Sequence, residues 1–160
     1  MPDTTTQTRP RTHAGPAIFT ICASNYLAHA SVLGASIREH HPRLTLTVFL
    51  LDIPPAGIEL PGHLDIVPAE QAFGRREWNH RRAHYDILEF ATSVKPACFR
   101  FLFARGARQA IYLDPDIRLF QPLDPFQGDG DALVLTPHIL TPFPEDKHRP
   151  DDLTILRAGL

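Results

Sequence analysis

The chain has little of several things that mark whole protein classes. Two cysteines, Cys22 and Cys98, stand among apolar neighbours with neither metal-type nor redox-type spacing. They read as buried free thiols rather than as part of a disulfide framework or a zinc ribbon. Apolar runs such as residues 44–51 fall far short of the ~20 residues that a membrane-spanning helix needs. Neither sign of charge dominates: 16 Lys and Arg face 18 Asp and Glu, for a net charge of -2. Composition therefore offers no electrostatic footprint for nucleic acid. No internal repeat is found. The first sixteen residues are rich in Thr, Pro and Arg and lack the apolar centre of a secretory signal; they read as a flexible tail, 1–16, ahead of a folded part, 17–160. A cytoplasmic location is the expectation. With 43% hydrophobic and 21% charged residues in 160, the composition is that of a globular protein with one core.

What is present is an alternation of strands and helices. Residues 17–22 form a short apolar, β-branched run, followed by Ala23, Ser24 and Asn25 and then by Leu27, Ala30, Gly34 and Ile37 at helical spacing. His41-Pro42 stops that helix. Residues 44–51, rich in Leu, Val, Thr and Phe, read as a second buried strand ending at Asp52. Two strands joined by a helix make a right-handed, parallel βαβ unit, so the fold class is α/β. A short strand is expected over 64–67. Helical periodicity returns over 82–105 at Ile87, Phe90, Val94, Ala97 and Phe101, interrupted by Pro96 and closed by Gly106. Pro96 either kinks one helix or opens a second one after a break near Thr92. Residues 109–113 read as a third clear strand, 117–120 as a short apolar exit, and 132–136 as a fourth strand ahead of a Pro-rich loop.

The third strand runs straight into Asp114-Pro115-Asp116. Side chains alternate along a strand, so two acids one residue apart can converge once the strand opens into a loop. Hard divalent ions take oxygen ligands and complete their shell with phosphates and water, so two carboxylates are enough to begin a site for Mn²⁺ or Mg²⁺. A turn is the plain alternative. Ser24 and Asn25 after the first strand and Asp52 after the second place further polar groups at strand ends, where ligands of open α/β sheets gather. Ser24 alternatively serves as a helix N-cap, and Asn25 as a turn residue. Lys95 lies on an otherwise apolar helical face, where a cation must snorkel or find an anion. The basic segment 75–82, which holds the only Trp, reads as a solvated loop over a phosphate pocket. His80 and His84 have the spacing of a helical zinc pair, yet Arg81 stands where a zinc hydrolase carries its Glu.

Three segments in order, 18–27 around Ala23-Ser24-Asn25-Tyr26, 85–96 around Lys95-Pro96, and 111–117 around Asp114-Pro115-Asp116, resemble those of a bacterial glycosyltransferase of the GT-A fold, similar to the family 8 type. The likeness covers about residues 17–123. It implies a Rossmann-like nucleotide-diphospho-sugar transferase fold, a mostly parallel sheet flanked by helices, and transfer of sugar from a nucleotide-diphosphate donor to an acceptor hydroxyl. By position, Asp114 and Asp116 would bind a divalent metal, Mn²⁺ or else Mg²⁺, and Asp114 would also approach the ribose. Ala23, Ser24, Asn25 and Tyr26 would hold base and ribose, and Lys95 would contact the nucleotide or the first acid. Family members are longer, with acceptor-site residues and a third metal ligand, usually His, further on. The expectation is therefore an amino-terminal, nucleotide-binding portion of such an enzyme, incomplete at its carboxyl end. Two rivals are a nucleotidyltransferase, which calls for a Gly-rich phosphate loop that is absent between Cys22 and Gly34, and a non-catalytic half-domain that binds a nucleotide or a partner.

Overall fold

The computed structural model describes residues 16–54, 60–123 and 133–135. Its strands and helices belong to the unit Met1–Leu123. Strand β1 (Ala17–Cys22) leads through a 3₁₀ turn (Ser24–Tyr26) into helix α1 (Leu27–His40) and then β2 (Leu46–Leu50). Strand β3 (Leu64–Pro68), a second 3₁₀ turn (Ala69–Ala72), helices α2 (Arg75–His84) and α3 (Ile87–Ala104), and strand β4 (Ala110–Tyr112) complete the order. The four strands form one sheet in the order β3-β2-β1-β4, with every pairing parallel. This is an α/β protein with an all-parallel sheet flanked by helices, compatible with a Rossmann-like fold.

Both faces of the sheet are covered, which is why β1 and β2 read as nearly continuous apolar runs and are buried at every position. Alternation divides the core in two. Ala17, Phe19, Ile21 and Phe49 join Trp78, Phe90, Val94, Cys98 and Leu102 from α2 and α3 on one face. Ile18, Cys22, Val48 and Leu50 join Leu27, Ala30, Leu33 and Ile37 of α1 on the other. Phe19 anchors the first layer, edge-on to Phe49 at 5.7 Å and to Phe99 at 4.7 Å. Gly34 lets α1 close on β3, because a Cβ there would run into the Leu64 side chain.

Helix α3 is bounded at both ends by local chemistry. Asp86 accepts from the amides of Leu88 and Glu89 while the Glu89 carboxylate accepts from the Asp86 amide, a reciprocal capping box. At the other end Gly106, at φ 92°, donates to the Phe103 carbonyl, and Ala107 to that of Leu102. That is a Schellman motif, which requires a left-handed residue where the glycine stands. Between these ends Pro96 neither breaks nor divides the helix. Its missing N–H and ring clash cost about 3 kcal/mol. Phe90 and Val94 before it and Leu102 after it are buried on the sheet, and side chains of that kind gain about 1.5–3 kcal/mol each. Packing outweighs propensity.

Three expectations are corrected. The basic segment 75–82 is not a loop but most of α2, because Trp78 is buried against Phe73 and Phe90, and Arg81 pairs with Glu77 one turn away at 2.8 Å. The helical region expected over 82–105 is two helices, separated where Asp86 caps the second. Of the strand expected over 132–136, residues 133–135 are described; they form no strand and their side chains are exposed. They have no hydrogen-bonded strand beside them among the described residues, and without one a short apolar run is not a strand. The second strand is shorter than its apolar run, Leu46–Leu50. The tail 1–16, apart from Pro16, and the segment from 136 onward lie outside the described residues.

Candidate functional site

The strand order points to the sheet end where a ligand would gather. From β1 the chain moves outward to β2 and β3, then returns through α3 to pair β4 with the other side of β1. The direction of travel therefore reverses between β1 and β4, and ligands of such sheets collect beyond the carboxyl ends at that switch point. Beyond β1 stand Ala23, Ser24, Asn25 and Tyr26; beyond β4 stand Asp114 and Asp116. The β1–β4 register pairs Phe19 with Tyr112, and the Leu113 amide still donates to the Phe19 carbonyl at 3.1 Å. Asp114 thus leaves the sheet beside the last residues of β1.

Asp114-Pro115-Asp116 is both a turn and a pair of acids. The Ile117 amide donates to the Asp114 carbonyl at 3.2 Å, closing a β-turn with Pro115 at its second position. No residue but glycine has positive φ among the described residues, so Asp116 sits in a turn of the type I kind, not type II. Both acids are exposed. The Tyr112 hydroxyl donates to Asp114 Oδ1 at 2.6 Å. Burial pushes the Tyr112 phenol above its ordinary range, and the hydrogen bond to Asp114 and the charges of Asp114 and Asp116 push it further. Of the two carboxylates, Asp114 is the one held by the Tyr112 hydroxyl. Lys95 Nζ, from α3, sits over the Tyr112 ring at 4.3 Å.

Across the crevice the loop after β1 is tied to β2. Asp52 accepts from the Ser24 amide at 2.8 Å and from the Ser24 hydroxyl at 2.7 Å. Ser24 is therefore no side-chain cap for α1: neither the 3₁₀ turn nor α1 has a side-chain N-cap bond. The Tyr26 amide donates to the Ala23 carbonyl at 2.9 Å, completing a tight turn. Asn25 and Tyr26 are exposed, and the Tyr26 ring lies 5.1 Å from that of His29. The Cys22 thiol, last in β1, is pushed up to about 12 by burial, with the Asp52 charge adding to the effect. Sequence reasoning flagged Asp52 without a partner and missed Tyr112. The signal for Tyr112 was its i, i+2 relation to Asp114.

Other polar pairs serve packing. His84 and His80 stack at 4.1 Å, and His84 Nδ1 bonds the His80 carbonyl at 2.8 Å, which occupies the nitrogen. His63 Nε2 lies 3.1 Å from the Ser31 carbonyl and 3.2 Å from its hydroxyl. The carbonyl contact requires the proton on Nε2, so this histidine is not poised as a base toward Ser31. Among the described residues no three of His, Cys, Asp and Glu gather as a metal cage. The candidate centre is instead the two exposed carboxylates, whose oxygen-only chemistry suits a hard cation with substrate oxygens completing its shell. Among the described residues no helix is long and apolar enough to cross a membrane.

Site and sheet together define an α/β protein with two acids and a polar turn beyond the carboxyl ends of neighbouring strands β4 and β1. No family model matches the chain, and no curated protein and no solved structure matches it either.

Proposed function

We infer that the chain binds a nucleotide-diphosphate sugar through a divalent metal and belongs to a glycosyltransferase that transfers the sugar to an acceptor hydroxyl. One observation carries this reading: Asp114 and Asp116 leave β4 at the switch point beside β1, on the far side of which lies the Ser24–Tyr26 turn. Carboxylates on one strand end and an exposed aromatic turn on the next supply the two halves of a nucleotide-diphosphate site. Asp114 and Asp116 would hold Mn²⁺ or Mg²⁺. The ion would supply charge stabilisation to the departing nucleoside diphosphate as the glycosidic bond breaks. The turn at Ala23, Ser24, Asn25 and Tyr26 would orient base and ribose, the Tyr26 ring offering a face for stacking. The Lys95 cation would add positive potential beside the phosphates.

The test is calorimetric titration with UDP, GDP, ADP and TDP, each with and without Mn²⁺. The intact chain is expected to bind at least one of them in a Mn²⁺-dependent way, and Asp116→Ala is expected to abolish that binding. Unchanged affinity in Asp116→Ala, or no Mn²⁺-dependent binding in the intact chain, would remove the proposal. Assays of transfer and hydrolysis with the corresponding nucleotide sugars separate an enzyme from a non-catalytic binding module.

A further inference from the structure

We propose that Tyr112 is a positioning residue for the acid pair, its hydroxyl holding one oxygen of Asp114 so that the rest of the carboxylate faces the crevice; this rests on the metal reading of Asp114 and Asp116. The geometry is specific. The hydroxyl donates to Asp114 Oδ1 at 2.6 Å, a length typical of a strong O–H···O⁻ bond. The phenol donating this bond is itself held. Its ring lies 5.4 Å from the fully buried Phe19 of β1, and under Lys95 Nζ at 4.3 Å. Its backbone is paired to Phe19 in the sheet.

Asp114 by contrast is exposed and belongs to a turn. A carboxylate on a turn samples several rotamers, and ordering it on metal binding costs conformational entropy. A hydroxyl fixed by the core removes part of that cost in advance. It takes one lone pair of Oδ1 and leaves Oδ2 and the remaining lone pair for a cation. Lys95 reinforces the arrangement, because a cation over the ring draws electron density from it and makes the O–H a better donor. Outer partners of this kind orient metal-binding carboxylates, and losing one lowers metal affinity about 10–100-fold.

Tyr112→Phe keeps the ring, its contact with Phe19 and the Lys95 cation while deleting only the hydroxyl. The experiment is titration of the full chain with Mn²⁺ and whichever of UDP, GDP, ADP and TDP binds most tightly. Tyr112→Phe should weaken that binding about tenfold, with the thermal midpoint measured without ligand little changed. In an Asp114→Ala background, Tyr112→Phe should weaken binding no further, because the group it orients is gone. If Asp116→Ala abolishes binding but Tyr112→Phe leaves it unchanged, this inference fails while the metal reading stands. If the Tyr112→Phe loss persists in the Asp114→Ala background, the hydroxyl acts on the ligand directly and the positioning role is wrong. Unchanged binding in Asp116→Ala overturns the metal reading and this inference with it.

Discussion

Cys22 is the last residue of β1, buried on the α1 face, and Cys98 is buried in α3. Burial pushes each thiol up to about 12 from a starting value of 9.0, and at Cys22 the Asp52 charge adds to this. The thiolate is the reactive form, so at about pH 8 a pKa near 12 leaves about a thousandfold less of it than a pKa near 9. An aromatic disulfide reagent should therefore react about a thousandfold more slowly with the native chain than with the urea-unfolded one. The same shift sets a pH dependence. The folded pKa lies above the unfolded value, so the folded chain holds more protons between them. This contribution to stability is fully present below 9.0 and is lost as pH rises toward 12. The urea midpoint should fall from about pH 8 to about pH 10 in the native sequence and less in a Cys22→Ala, Cys98→Ala double variant. Equal slopes for the two proteins would show that the thiols ionise as freely folded as unfolded.

Among the elements, α3 carries the site's geometry, since it brings Lys95 over Tyr112 and delivers the chain into β4 through Gly106. Its capping box is the part most open to test. Asp86→Ala removes the acceptor for two amides and should cost about 1 kcal/mol, read from urea unfolding, with no effect on nucleotide binding beyond that loss. The elements that could be read from sequence were those whose residues repeat a signal. Phe19, Ile21 and their neighbours mark β1 by continuous apolarity, and Leu27, Ala30, Gly34 and Ile37 mark α1 by spacing. Helix α2 was not legible because Trp78 is its only buried residue; one anchor in ten positions has no period. Pro96 left one kinked helix and two separate helices both open: its local preference is strong, and the buried stripe on either side of it, a tertiary fact, decides for one helix. The strand end that Asp114 and Asp116 follow was legible because the apolar run 110–113 stops at the first acid. The bond from Tyr112 was not, since a tyrosine inside a strand reads as core until its hydroxyl is seen to reach a partner.

At the scale of the whole sheet, the order β3-β2-β1-β4 makes a prediction that no single residue makes. Every strand is parallel, so all the carboxyl ends lie on one side, and each offers a loop where a ligand might rest. Among the described strands the order steps back across β1 to reach β4, the position beyond whose carboxyl ends ligands of parallel sheets gather. The segment after β4 then runs along α1, the Leu119 amide donating to the Ser36 hydroxyl and the Leu123 amide to His41 Nε2. Beyond β2 and β3, Leu51 and, in the 3₁₀ turn, Ala69 are buried in the α3-side core. A ligand bound at the switch point should therefore leave its mark on two segments distant in sequence. With saturating Mn²⁺ and the best of the four diphosphates, amide hydrogen exchange should slow about tenfold or more over 23–26 and 113–117. Exchange over 69–72, at the carboxyl end of β3, should stay unchanged unless the whole unit is stabilised, in which case the core amides of β1 and β2 would slow equally. Protection at 69–72 alone would place the ligand on the outer strand, and the acids after β4 would then be a turn and nothing more. Protection at both 23–26 and 113–117 requires a ligand long enough to span two strand ends, which a base, ribose and diphosphate together are and a free metal ion is not.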